Sequence, residues 1–204
     1  MTTPQPYVFG YGSLVSPGSV EATLGHEVDR STFSHAILDD WERAWNVGSD
    51  RSSHPERTFV LADDTVYDGV TVVLGIEARD GRRCNGSVFS VTGSDLSLLD
   101  VRERNYERRD VTAQVSWAGK PNNCTVFTYV PIESAKRRVS EAMERGRPLN
   151  VRRGYAELVE RAFSDIGKLG SYRRTTPAVP YPLQSMQAMI DPVLAPPIRG
   201  SGDE

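Results

Sequence analysis

Residues 6–14, Pro-Tyr-Val-Phe-Gly-Tyr-Gly-Ser-Leu, set the β-formers Tyr7, Val8 and Phe9 directly before two closely spaced glycines. That order predicts a first strand over Pro6 to Tyr11 that ends in a sharp turn. Glycine lets the chain turn tightly and present successive N–H groups. Such a row of donors suits a carboxylate or a developing oxyanion. The bland reading is a tight turn and nothing more. Three phosphate or nucleophile motifs fail here. A dinucleotide fingerprint needs a third glycine where Val15 stands, and the Gly-Lys-Ser/Thr ending of a phosphate loop is absent. Ser13 directly follows Gly12, so the spacing is not that of a nucleophile elbow.

Outward from this stretch, Ser16-Pro17 reads as an N-cap followed by Pro in the first helical turn, with Gly25 as the stop. His35 to Val47 is mixed and carries Trp41 and Trp45, and residues 48–57 read as a polar loop. Strands are expected at 58–62 and 70–78. A third at 84–91 follows a turn at Asp80-Gly81, so the last two should form a hairpin. A helix is expected over 93–105. In DVTAQVSWA, residues Val111, Ala113, Val115 and Trp117 alternate on one face, and a turn at 119–123 returns the chain as a second hairpin with 124–130. Two helices follow, the second with a full apolar stripe from Tyr155 to Ile166 that reads as core. Six of the thirteen prolines lie between Pro177 and Pro197. The expected organisation is a domain over 1–170 and a proline-rich tail over 171–204, extended and partly disordered at its end. Hairpins with helices inserted between and after them point to an α+β fold, with a mostly antiparallel sheet that is possibly closed.

Composition limits the function classes. The 204 residues are 38% apolar and 25% charged, with a net charge of −3. That balance suits a globular protein and gives no general pull toward nucleic acid or anionic membrane. No apolar run reaches the ~18 residues of a membrane span, and the N-terminus does not read as a secretory signal. The two cysteines, Cys84 and Cys124, make no disulfide framework, so reduced thiols in a cytosolic protein are expected. His26, His35 and His54 have no ligand spacing, and no metal is expected. The cluster Arg102, Arg104, Arg108 and Arg109 reads as a solvated face.

Glu103 is the most informative single residue. At helical spacing it falls between Leu96 and Leu99 on the apolar stripe that continues to Tyr106. A carboxylate there is partly desolvated, which raises its pKa toward neutrality and suits proton transfer at pH 7. The same periodicity also allows Glu103 to reach past the core and pair with Arg102, Arg104 or Arg109. A serine hydrolase built on Ser13 and one of the histidines rests on residue types alone.

Together the two segments resemble the γ-glutamylcyclotransferase-like superfamily. Its pattern is a Tyr-Gly-Ser-Leu loop after the first strand, matched by Tyr11-Gly12-Ser13-Leu14. A later helix carries Leu-Asp-x-x-Glu, then Gly and Tyr. Leu99-Asp100-Val101-Arg102-Glu103 and Tyr106 match it, while Arg104 and Asn105 stand where the Gly would be. The likeness runs over about residues 6–166. It implies a small β-barrel with flanking helices. The implied chemistry needs no cofactor: the α-amine of a γ-glutamyl group attacks its own γ-carbonyl, giving 5-oxoproline and a released amine.

The resemblance also implies roles. Glu103 would take a proton from the α-ammonium and deliver it to the leaving amine. The N–H groups of Gly12, Ser13 and Leu14 would hold the carboxylate or the oxyanion. Tyr11 and Tyr106, and more weakly Tyr129, would line the pocket. The only implied partner is a small-molecule γ-glutamyl substrate. Ala36 to Trp45 with His54-Pro55 resembles the glutathione-specific branch. Arg51 to Pro55, however, replaces that branch's basic-Gly-Thr-Pro segment, so glutathione, γ-glutamyl dipeptides and γ-glutamyl amines all stay open. A non-catalytic module that binds γ-glutamyl or other carboxylate ligands on the same fold is the alternative.

Overall fold

A computed structural model describes residues 3–194. Strand β1 (Gln5–Gly10) opens the chain, and Ser13–Val15 form a 3-10 turn before helix α1 (Pro17–Leu24). Strands β2 (Ser34–Ser49), β3 (Arg57–Val60) and β4 (Val70–Ser90) follow, then α2 (Gly93–Arg102). Next come β5 (Tyr106–Asp110), β6 (Val115–Trp117), β7 (Cys124–Pro131) and α3 (Glu133–Glu144). The last described elements are β8 (Leu149–Arg152), α4 (Arg153–Asp165), α5 (Leu169–Thr175), β9 (Leu183–Gln184) and β10 (Gln187–Ile190).

The main sheet has the order β5-β7-β1-β4-β2-β6, and β8 joins β4 in parallel. Within that order only β1 and β7 run parallel. The result is the expected α+β architecture, a curled half-barrel with helices around it. Among the described residues β5 and β6, the ends of that order, do not pair with each other, so the sheet is open rather than closed.

Strand β1 is buried on both faces, which explains its unbroken apolar run. Phe9 joins the larger core with Leu74, Ile76 and Phe163, while Val8 joins a second core with Leu14, Leu96 and Leu99. Helices α1 and α2 cover that second core. Ser16 caps α1 by accepting from the Ser19 N–H at 3.3 Å, and Gly25 ends it at φ 73°. A capping box of Thr92 and Asp95 starts α2.

Three sequence expectations change. The mixed stretch around the tryptophans is a 16-residue strand, β2, with alternating burial. Asp39, Glu42 and Arg43 disguise its period. Residues 70–78 and 84–91 are not a hairpin, because both lie in β4 and pair with β2. The Asp80-Gly81 signal marks a bulge instead, where Gly81 has φ 72° and its N–H donates to Asp40 Oδ1 at 2.9 Å. DVTAQVSWA is not one strand either: a turn at Val111–Gln114 splits it. Strand β6 then pairs with β2, and the chain returning in β7 pairs with β5.

Just beyond residue 170 the chain is anchored by α5, and then runs on mostly exposed, with β9 and β10 paired to β8 and β3. Tyr172 of α5 is 4% exposed and stacks on Phe163. The expected disordered end falls on residues 195–204, outside the described residues.

Candidate active site

The site lies where β4 parts from β1. Strand β1 pairs with residues 87–90 of β4, so the first half of β4 runs on without it. At Leu74, beside a bulge in the β2 pairing, two tyrosines take the place of a neighbouring strand. The Tyr106 O–H donates to the Leu74 carbonyl at 2.8 Å, and the Leu74 N–H donates to Tyr155 Oη at 3.2 Å. Both polar groups of Leu74 are thereby satisfied next to a cavity.

That cavity is a notch of about 30 Å³ lined by residues 9–14, Leu74, Glu103, Tyr106, Tyr129 and Tyr155. All seven site residues expected from sequence, Tyr11, Gly12, Ser13, Leu14, Glu103, Tyr106 and Tyr129, therefore border one space. A larger chamber of about 300 Å³ shares Ser13, Glu103, Tyr106 and Tyr155 with the notch and adds Arg57, Arg152 and His54.

The glycine turn is sterically fixed. A Cβ on Gly10 would lie 2.7 Å from the carbonyl carbon and Cβ of Leu14. On Gly12 it would lie 3.1 Å from Tyr155 Oη. The internal hydrogen bonds of the 3-10 turn begin with the N–H groups of Val15 and Ser16, donating to Gly12 and Ser13. The N–H groups of Ser13 and Leu14, ahead of these, are not used by the turn itself.

Glu103 is the residue just past α2, not within it: the helix ends at Arg102, and the Glu103 N–H closes the last turn on the Leu99 carbonyl at 2.8 Å. The chain then swings into β5 at Tyr106. Burial pushes the Glu103 carboxyl above the usual range, and the Arg102 cation pulls it back in part. Arg102 Nε lies 3.0 Å from Glu103 Oε1, so the pairing left open by the sequence does form. The carboxylate still borders both cavities, with 13% of its side chain exposed. The other Arg102 donors reach the Ser19 carbonyl, Thr23 Oγ1, Ser13 Oγ and Ser19 Oγ at 2.7–2.9 Å. Arg102 thus ties the acid to the turn and to α1.

The tyrosine hydroxyls are occupied. Tyr11 donates to the Tyr129 carbonyl at 2.7 Å, and Tyr129 donates to Asp100 Oδ1 at 2.9 Å. Burial raises the pKa of Tyr11, Tyr106, Tyr129 and Tyr155 alike. They remain neutral hydroxyls at pH 7.

Sequence reasoning missed several contributors. Arg102 and Arg104 belong to no solvated face: Arg102 enters the site, and Arg104, where the superfamily has Gly, pairs with the buried Glu56. Arg108 and Arg109 do lie at the surface, paired with Asp100 and Glu107. Arg43 is 1% exposed and donates from Nε to the Tyr11 carbonyl at 2.8 Å and from Nη1 to Asn85 Oδ1 at 3.0 Å. Its guanidinium carbon lies 4.9 Å from the Phe163 ring centre and 5.1 Å from that of Tyr172. Charge on a strand of alternating burial was the available signal for Arg43. Tyr155 was read as core, and its apolar stripe concealed a hydroxyl directed at the site.

The family described as gamma-glutamyl cyclotransferase, AIG2-like, matches residues 8–146. No curated protein matches the chain in sequence. Among solved structures, YkqA from Bacillus subtilis aligns with a TM-score of 0.54 at 16% identity, over 88% of this chain and 56% of YkqA. This chain thus spans little more than half of YkqA. A yeast γ-glutamyl cyclotransferase specific to glutathione aligns at 0.46 and 14% identity, over 87% of this chain and 90% of that one. The human protein loc79017 aligns at 0.49 and 14%, over 88% and 92%. At 16% identity the YkqA alignment speaks to the fold alone.

Proposed function

The chain belongs to the gamma-glutamyl cyclotransferase, AIG2-like family, and on that premise we propose that it cyclises a γ-glutamyl group to 5-oxoproline, releasing an amine or amino acid. The observation that carries this reading is a carboxylate only 13% exposed, Glu103, bordering the same notch as the Gly10–Leu14 turn.

The reaction follows from those parts. The substrate's α-ammonium must lose a proton before its nitrogen can attack. Glu103, with its basicity raised by burial, accepts that proton. The nitrogen then bonds to the γ-carbonyl carbon, closing a five-membered ring and placing negative charge on the carbonyl oxygen. The Ser13 and Leu14 N–H groups are the donors for that oxygen or for the α-carboxylate. Collapse breaks the bond from the γ-carbon to the leaving nitrogen as Glu103 returns the proton there, and the freed carboxylate then relays the ring nitrogen's second proton to the released amine, which departs as an ammonium and leaves a neutral lactam. Tyr11, Tyr106, Tyr129 and Tyr155 shape the notch and exclude water. Holding the ring-closing geometry supplies several kcal/mol of the acceleration. The nucleophile belongs to the substrate, so no cofactor takes part. A cytoplasmic setting suits the two free cysteines, Cys84 and Cys124.

One observation favours a second reading, a carboxylate-binding module without turnover: the ion pair of Glu103 with Arg102. A single experiment separates the two. Incubated with γ-glutamyl dipeptides, γ-glutamyl amines and glutathione, the protein should release 5-oxoproline, and Glu103→Gln should lose at least ~100-fold in rate. Silence on the whole panel, with calorimetric binding retained, would establish the binding module instead.

A further inference from the structure

The chamber beyond Glu103 is lined by two cations that form no ion pair among the described residues. Arg57 starts β3 and Arg152 ends β8, and both line the 300 Å³ chamber. Among the described residues neither forms an ion pair with a carboxylate, whereas Arg102 and Arg104 pair with Glu103 and Glu56. The Nε atoms of Arg57 and Arg152 are also buried without a hydrogen-bond partner. Arg57 and Tyr155 are electrostatic neighbours of Arg152, and the Phe59 ring centre lies 5.0 Å from its guanidinium carbon. That contact orients the cation without neutralising it.

The remaining charges compensate little: Glu56, whose charge favours the Arg57 cation, is already paired with Arg104. Glu103 is the one acid lining the chamber, and Arg102 already holds it. His54 is neutral at pH 7, because burial, followed by the Arg57 and Arg104 charges, lowers its pKa to about 4. Gly154, in the first turn of α4, also lines the chamber, and that helix start has no side-chain cap. Its free N–H groups add positive potential of the same sign. Half-buried guanidinium groups facing a cavity are stabilised by an anion that fills it.

Size places that anion in the substrate. The notch, at about 30 Å³, holds little beyond the reacting end of a γ-glutamyl group, whereas the chamber, at about 300 Å³, reaches the scale of small-ligand pockets. The two spaces meet at Glu103, which in the proposed reaction protonates the leaving nitrogen. Whatever is attached to that nitrogen therefore extends toward Arg57 and Arg152.

We infer that Arg57 and Arg152 form a carboxylate subsite for the leaving group, so that the substrates are γ-glutamyl amino acids or peptides rather than γ-glutamyl amines. This rests on the cyclotransferase reading for its orientation. A γ-glutamyl amine with a neutral or cationic tail would leave both guanidinium groups without an anion.

The test compares γ-glutamyl-alanine with γ-glutamyl-ethylamide, which differ only in the leaving group's carboxylate. Wild type should prefer the first about ten- to hundredfold in kcat/KM, the range of a charge-assisted contact. In Arg57→Gln and Arg152→Gln that ratio should fall toward one, mainly through KM. A wild-type ratio near one overturns the proposal and needs no variant. So does a ratio that persists in both variants, as it would if these arginines held the γ-glutamyl α-carboxylate instead. Calorimetry on Glu103→Gln with the same two compounds separates this from failure of the enzymatic reading. Tighter binding of γ-glutamyl-alanine supports the subsite even in a protein that turns nothing over, and equal affinity refutes it.

Discussion

Replacing Gly10 by alanine tests how the site is built. The added Cβ would meet the carbonyl carbon and Cβ of Leu14 at 2.7 Å and its carbonyl oxygen at 2.8 Å. Ordinary contact begins at 3.4 Å, so something must retreat by more than half an ångström. Neither side has room. Leu14 is 6% exposed and packed in the second core, while Val8 and Phe9 beside Gly10 are fully buried. Overpacking of this kind costs about 1–3 kcal/mol where side chains can yield. Two of the three contacts here are main chain, so the upper end applies, about 3 kcal/mol. For a protein of this length, that lowers Tm by roughly 6–12 °C. Urea unfolding and calorimetric melting are the assays, with Gly93→Ala as the control. Gly93 opens α2 with nothing within 4 Å of its added Cβ, so that variant should stay within about 0.5 kcal/mol of wild type. Shortening Leu14 to alanine should not rescue Gly10→Ala, because the carbonyl carbon and oxygen remain in the way. A Gly10→Ala protein as stable as wild type, or rescued by Leu14→Ala, would refute the tight return of the turn onto β1.

Two titration experiments complement it. In Arg102→Gln, Glu103 loses the cation that lowers its pKa, so the acidic limb of the kcat/KM profile should move to higher pH. A high-pH plateau near the wild-type value would mark this as electrostatic, whereas a limb that stays put or moves down would contradict the assignment of Glu103 as the base. His54 remains neutral in the fold down to about pH 4, and its Nδ1 lies 2.9 Å from Ser49 Oγ. Between pH 6.5 and 4 the unfolded chain therefore takes up a proton that the folded chain refuses, and stability falls as pH falls. The loss is at most roughly 3 kcal/mol, and His54→Gln should flatten that part of the urea-unfolding profile. An unchanged slope would place the titration on another group.

The elements that local rules govern were readable. Ser16-Pro17 and Gly25 bound α1 because capping depends on a few adjacent residues. Glu103 and the Gly10–Leu14 turn stood out because a carboxylate on an apolar stripe and paired glycines after a strand are both locally odd. Strand β4 was misread because Asp80-Gly81 has the composition of a hairpin turn. Only the continuous partner β2 makes it a bulge, since pairing is decided between segments and not within them. For the same reason the Val111–Val115 region could not be divided correctly from its alternation.

Sequence alone thus determined the α+β class and the first strand with its turn, and marked Glu103 as the candidate acid, because each rests on neighbours along the chain. Tertiary structure decided what surrounds that acid. Arg102 as its partner, Tyr155 over the glycine turn, and Arg57 and Arg152 facing the outer chamber are contacts between distant segments. A side chain's charge is visible in a sequence, but whether that charge is paired, buried or left facing a cavity depends on what the fold places against it.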